Sequence, residues 1–285
     1  MKLPSQQLEA FHTICQTESF SIAARELGVT QSALSQRIKK LEDTLNTILV
    51  NRESQPISLT SSGEKLLQYC SVLSKIEEEY ISDLSSSQSE LKGHMHIGAY
   101  SSLMRSTIIP LLSPTIRANP NCFIHFHQPE LREAQSSLLR GSSDLVFTNT
   151  PITRQGIQSE FVGQEINVLV ESKIHKSKPN SYLDHDHHDQ TTLDFLKLQK
   201  QTSDKIHRSY YDEAYSIIEG VKAGHGRAVI PKHLIKGDKE IKIIKTKNSL
   251  RHDVYMNYIN KGYFTRLEKE VIGTLRKGVS KRLAG

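Results

Sequence analysis

The sequence is poor in the features that mark several large protein classes. Its three cysteines, Cys15, Cys70 and Cys122, lie far apart. An odd, scattered set does not make a disulfide framework, and no CxxC pair points to zinc. Three reduced thiols, some of them buried, are expected. No apolar run approaches the roughly 18 residues that a membrane-spanning helix needs. Met1 to Ala10 lacks the cationic-then-apolar pattern of a signal peptide, so a cytoplasmic protein with no membrane partner is expected. There is no Gly-x-Ser-x-Gly elbow, no phosphate-binding glycine loop and no HExxH. No catalytic set, no resident cofactor and no metal site are therefore expected. An excess of one charge is also missing from the first part of the chain. Residues 1–60 hold six basic side chains (Lys2, Arg25, Arg37, Lys39, Lys40, Arg52) and six acidic ones (Glu9, Glu18, Glu26, Glu42, Asp43, Glu53). The whole chain carries +6, so its basic excess lies downstream.

What is present fits about two compact units in 285 residues. Apolar residues at 36% and charged ones at 24% support soluble domains with real cores and argue against disorder. Residues 5–48 read as three short helices. Residues 49–60 read as a small β-hairpin, or wing, around a turn at Glu53 to Pro56. One helical pattern covers 61–84, and Ser85 to Ser89 forms a serine-rich candidate hinge. From His94 the texture is α/β, with β-branched runs alternating with helical stretches.

The segment Phe20 to Ile38 carries the first chemical signal. Ser19 or Ser21 can cap a helix, Ala23 and Ala24 allow close approach, and Gly28 suits a left-handed helix end. Thr30 can cap a second helix, in which Leu34, Ile38, Leu41 and Leu45 form one buried stripe. Gln31, Ser32, Ser35, Gln36 and Lys39 fall on the opposite face. Such a pair of helices places the second in a DNA major groove. Thr30, Gln31, Ser32, Ser35 and Gln36 are candidates for base edges or phosphate. Arg37, Lys39 and Lys40 are candidates for the phosphate backbone, and Arg52, from the wing, for the flanking minor groove or the backbone. A small three-helix unit with a solvated polar face is the alternative.

The order of these motifs resembles the LysR-type regulators. The residues are Ala23-Ala24, Thr30 to Ser35, Ile38 with Leu41-Glu42, Arg52, and Leu59 to Gly63. The wing departs from the family pattern in having Leu49-Val50 where Leu-Phe usually stands. The resemblance implies a winged helix-turn-helix over 1–61, a linker and dimerisation helix with hinge over 62–89, and a two-lobed effector domain over 90–285. That domain would resemble periplasmic solute-binding proteins, with lobe 1 at about 93–163 and 260–285 and lobe 2 at about 164–259. The patterns Leu138 to Leu145 and Ala223 to Pro231 match its signatures. A final helix over Thr265–Leu283 is expected to break at Gly273 and Gly278. Leu66, Cys70, Leu73, Ile76, Tyr80 and Leu84 recur at three and four residues, a stripe suited to pairing with another helix; the resemblance implies a dimer seam, and packing against its own domain is the alternative.

A ligand would sit between lobes at strand ends. Ser101, Ser102, Gln128, Thr148 and Asn149 are nominated from the first lobe, and Tyr211 and Asp212 from the second. Ser35 to Lys39, Ile76 to Tyr80 and Leu183 to Asp186 are similar to the branch that controls basic amino-acid export and replication initiation. That implies lysine or arginine as effector, met by Asp184, Asp186 or Glu130. The run Asp184 to Asp189 has metal-ligating residue types, but contiguous loop residues read better as a solvated loop. The implied function is sequence-specific promoter binding modulated by a small molecule, by a homodimer or homotetramer. RNA polymerase is a further candidate partner. The alternative is an architectural DNA-binding protein that senses nothing.

Overall fold

The computed structural model describes residues 3–52, 54, 57–85, 91–178, 180–201 and 205–284. The expected turn residues Glu53, Gln55 and Pro56, and the expected hinge from Ser86 to Ser89, lie outside the described residues. Three helices open the chain: α1 (Ser5–Thr17), α2 (Phe20–Glu26) and α3 (Gln31–Leu45). Ser19 Oγ accepts from the Ile22 amide at 3.4 Å, and Thr30 Oγ1 from the Ala33 amide at 3.2 Å. Each hydroxyl satisfies an N–H that no helical carbonyl reaches. Gly28 sits at φ +63° between α2 and α3, a turn that a Cβ resists. Leu34, Ile38 and Leu41 are buried with Phe11, Ile14, Ala23 and Ala24 in one core.

The wing is a short antiparallel pair, β1 (Val50–Asn51) and β2 (Ser58–Leu59), with Val50 opposite Leu59. Leu49 and Val50 are buried in the head's core, so the departure from Leu-Phe leaves the wing packed. Helix α4 (Ser61–Ser85) follows. A Cβ at Gly63 would run into the Leu49 carbonyl oxygen, which explains glycine in the first turn. The apolar stripe of α4 is not a single seam. Leu66, Leu67 and Cys70 are buried in the head's core, because α1 and β2 lie against them. Tyr69, Ile76, Tyr80, Ile81 and Leu84 are exposed.

The second domain is built on a seven-stranded sheet. Its strands are β3 (Gly93–Gly98), β4 (Cys122–His127), β5 (Leu145–Thr148), β6 (Ile157–Ser172), β9 (Ala228–Pro231), β10 (Ile241–Ile243) and β11 (Leu250–Ile259). The order is β10-β6-β11-β5-β3-β4, with β9 also on β6. Strand β3 runs parallel to β4 and β5. Strands β6 and β11 are antiparallel, and β6 continues beyond that pairing to meet β9 and β10. A small parallel pair, β7 (Ser181–Asp184) and β8 (His207–Tyr210), joins this sheet through a bridge from Tyr182 to Arg227. Among the described residues the apolar side chains of this domain gather in four clusters. The two larger ones hold Met95, Ile97, Phe147, Met256 and Leu275, and Val170, Leu183, Ile217, Val221 and Ile230; the two smaller ones hold Leu169, Tyr182, Phe195 and Val229, and Ala134, Leu138 and Val146.

The helices cover these cores. They are α5 (Ser101–Leu103), a π-helical stretch at Met104–Ile108, α6 (Ile109–Ala118), α7 (Ala134–Leu139), α8 (Thr191–Leu198), α9 (Ala214–Lys222) and α10 (Arg266–Leu283). Helix α10 is continuous, against the expected breaks at Gly273 and Gly278. A Cβ at Gly278 would strike the Leu111 side chain, so this glycine serves close packing of α10 on α6. Its start carries a full capping box between Thr265 and Glu268.

Candidate DNA-reading face and effector cleft

Helical geometry sorts the predicted reading residues into two adjacent ridges. Gln31, Ser35 and Lys39 form one, and Ser32, Gln36 and Lys40 the other. Gln31, Ser32, Gln36, Lys39 and Lys40 are exposed; Ser35 and Arg37 are half-buried. Thr30 caps the helix and shares a 3.0 Å hydrogen bond with Ser32 Oγ, so its hydroxyl is largely committed to shaping the helix start. Arg52 is exposed in the wing. It donates to Glu42 at 3.2 Å and lies 5.5 Å from the Phe20 ring centre. Glu42 is the residue whose role sequence reasoning missed. It also accepts from the Leu49 and Val50 amides at 2.8 and 3.3 Å. One carboxylate thus fixes the wing's entry and its arginine to α3. The Leu-Glu motif was the available signal.

In the second domain the nominated residues follow strand ends. Ser101 stands just beyond β3, Gln128 beyond β4, and Thr148 and Asn149 at the end of β5; parallel pairing brings these ends to one edge. Tyr211 and Asp212 follow β8 of the other lobe. Gln128, Asn149 and Asp212 are exposed, and Asp212 is held at φ +54°. Ser101 is half-buried and Ser102 buried. Thr148 points inward: its hydroxyl donates to the Thr150 carbonyl at 2.6 Å and accepts from buried Asn257 at 2.8 Å. The Tyr211 hydroxyl is bonded to His225 Nδ1 at 2.7 Å.

Two inter-lobe contacts were not legible in the sequence. Arg105 of the π-helical stretch stacks on the Tyr215 ring at 3.6 Å and faces Glu213 Oε1 at 3.6 Å. Glu213 Oε2 caps α9 by accepting from the Tyr215 and Ser216 amides. Its Oε1 is buried and makes no hydrogen bond. Nearby, Ser106 Oγ meets His233 Nδ1 at 2.9 Å, and His233 Nε2 meets Glu165 at 2.9 Å. Tyr100 also bonds Glu165, and burial together with that carboxylate pushes its phenol well up.

One expected effector contact needs correction. Asp184 is buried and engaged by Thr192 and Arg208. A buried, paired carboxylate holds its lobe together and presents nothing to a ligand. Asp186 accepts from the His188 and Asp189 amides within its loop, and Glu130 pairs with Arg132, while both side chains keep much of their surface exposed. Among the described residues no group of three histidine, cysteine or acidic side chains is arranged to hold a metal ion. No helix among them is long and apolar enough to cross a membrane.

Comparison with known proteins decides the family. Residues 5–64 match the bacterial regulatory helix-turn-helix of the LysR family, and residues 88–280 match the LysR substrate-binding domain. The chain belongs to the LysR-type family of transcriptional regulators. It is a DNA-binding regulator with an effector-binding domain, not an enzyme. It is 31% identical to the regulator EstR of Acinetobacter baylyi over 182 residues, which are 63% of this chain and 60% of EstR. It is 24% identical to YofA of Bacillus subtilis over 83% of this chain and 84% of YofA. The match to the activator TtdR of Escherichia coli spans only 44% of that protein. Among solved structures, ArgP from Mycobacterium tuberculosis superposes with TM-score 0.76 at 20% identity, covering 98% of each chain. Full-length LysG from Corynebacterium glutamicum, solved with bound effector Arg, has TM-score 0.76 at 17% identity, covering 98% of this chain and 99% of LysG.

Proposed function

We propose that this LysR-type regulator reads a roughly palindromic promoter site as a homodimer or homotetramer and answers to an amino acid with a basic side chain. The head at 1–61 sets α3 in the major groove. Gln31, Ser32, Ser35 and Gln36 meet base edges; Arg37, Lys39, Lys40 and Arg52 meet phosphates, with Thr30 capping the helix they stand on. The helix and hinge at 62–89 pair two heads. The exposed Tyr69, Ile76, Tyr80 and Leu84 support that role, since burying them needs a second chain. The region 90–285 holds the effector between lobe 1 (about 93–163 and 260–285) and lobe 2 (about 164–259). RNA polymerase is its further partner, and the cytoplasm its compartment.

The observation that carries the effector class is Glu213. Its buried Oε1 lacks a hydrogen bond and meets Arg105 only at 3.6 Å, beside exposed Asp212. An effector guanidinium or ammonium can take that oxygen, and an ion-paired hydrogen bond suits it better than the long contact it now makes. Ser101, Ser102, Gln128, Thr148, Asn149 and Tyr211 surround the remainder of the ligand, the Thr148 contribution coming from its backbone. LysG, with its bound Arg, supports the same class. Free arginine and lysine should raise the melting temperature of the full chain, and Asp212→Asn with Glu213→Gln should abolish the shift. A shift that persists in the double variant, or appears equally with glutamate, counts against a basic effector.

A further inference from the structure

The head's neutral balance leaves the chain's positive charge to be located elsewhere, and much of it converges at the outer end of lobe 2. There a depression of about 490 Å³ is lined by Lys173, His175, Lys176, Arg227 and Lys242 around the single carboxylate of Glu171. Pairing explains the convergence. Strand β10 sets Lys242 opposite Glu171 of β6, and the Lys173 amide donates to the Glu240 carbonyl at 2.7 Å. Arg227 is fixed by its backbone, whose amide bonds the Ser181 carbonyl at 2.8 Å and whose carbonyl accepts from the Leu183 amide at 2.8 Å.

Glu171 orders two of the cations without cancelling the set. It accepts from Arg227 Nε at 2.9 Å and pairs with Lys242 Nζ at 3.1 Å. Burial pushes its carboxyl up, but the bonds from Lys242 and Arg227 outweigh burial and hold it below its ordinary value. Four cationic side chains against one carboxylate leave a local excess of three positive charges. Lys173 and Lys176 are exposed and make no ion pair among the described residues. The guanidinium is anchored through Nε and its side chain keeps 37% of its surface exposed. A concave wall focuses such a field and draws multivalent anions. A fixed guanidinium fork flanked by mobile ammonium groups suits phosphate oxygens. Apart from His175, no aromatic ring among the described residues lines the depression, so recognition rests on charge and not on stacking.

We propose that this depression is a phosphate-binding site of lobe 2, separate from the effector cleft, and that it takes a chain of phosphates. The proposal does not depend on the identity of the effector. Both a soluble phosphorylated molecule and the backbone of DNA flanking the operator offer that chemistry. The test is calorimetric titration of the full chain with sodium tripolyphosphate at low and at 0.5 M salt. Binding of one tripolyphosphate per chain is expected, weakened strongly by salt. Lys173→Gln with Lys176→Gln, two exposed positions, should weaken it at least tenfold while the melting temperature without tripolyphosphate stays unchanged. Arg227→Lys should weaken it too, because a point charge cannot replace the fork. Displacement of tripolyphosphate by a random-sequence duplex identifies DNA as the source of phosphate; absence of displacement identifies a soluble molecule. No binding of tripolyphosphate, or equal affinity in the Lys173/Lys176 variant, overturns the site.

Discussion

Ser35, Gln36 and Lys39 stand within one turn of α3, yet their chemistry divides their tasks. The serine hydroxyl and the glutamine amide can discriminate base edges; the lysine is a charge that any phosphate attracts. Ser35→Ala or Gln36→Ala should therefore cost sequence discrimination of about 1–3 kcal/mol for a true base contact. Lys39→Ala should weaken binding to all sequences and lower the salt slope by about 1. Titration of selected and scrambled operators at several salt concentrations separates the two. Equal losses on both DNAs for Gln36→Ala would remove it from base reading. The shared face of these residues was legible because a fixed helical period turns spacing into position. Glu42 stands in the Leu-Glu motif, but its role was hidden. That role depends on the wing amides of Leu49 and Val50 arriving from another element. The same limit hid Thr148, whose hydroxyl turns inward to Asn257, far away in sequence, and Asp184, whose partner Arg208 lies on the next strand.

Helix α4 illustrates the limit at the scale of the element. Its stripe was legible from spacing, but the surfaces that share it were not. Leu66 and Cys70 belong to the head, while Tyr80 is 65% exposed. Between them Lys75 docks the helix on lobe 1, paired with both Asp144 and Glu268. Burial alone would push the Asp144 carboxyl up. Hydrogen bonding from His96 and the charge of Lys75 outweigh it and hold it at about 2, against an ordinary value of 3.8. A carboxyl lowered on folding stabilises the fold above its unfolded value, and that stabilisation is lost as pH falls toward 2. Lys75→Met leaves Asp144 without this cation, while Glu268 keeps Lys261, and should cost about 3 kcal/mol near neutral pH. The difference from the parent should shrink as pH falls toward 2, where Asp144 takes up its proton in the parent as well. Melting curves between pH 2 and 7 check this, and superimposable profiles would show that the pair does not hold α4. In α10 a local rule misled: glycine lowers helix propensity, but tertiary packing on Leu111 accepts Gly278 inside a continuous helix.

The order of head, long helix and α/β domain was legible across the whole molecule, because composition and period change where the units change. The closure of that domain was less so. Strands β6 and β11 begin at Ile157 and Leu250, where no clear strand pattern stands in the sequence. Their outer halves alternate weakly, and partner strands define them. The contacts between lobes, Arg105 to Glu213 and Ser106 through His233 to Glu165, join residues separated by up to 127 positions, beyond any local pattern. They place lobe 1 against lobe 2 directly beside the proposed effector position, so a ligand that replaces Arg105 on Glu213 alters how the lobes meet. In the proposed dimer the link to DNA runs from lobe 1 through Lys75 and α4 to the head of each chain. Footprinting of the full chain on its selected operator, with and without arginine, tests that link most directly. The account predicts two protected half-sites whose spacing or extent changes with arginine, and no such change for Glu213→Gln. Identical protection in the presence and absence of arginine, lysine and other amino acids would contradict it and leave a DNA-binding protein that senses none of them.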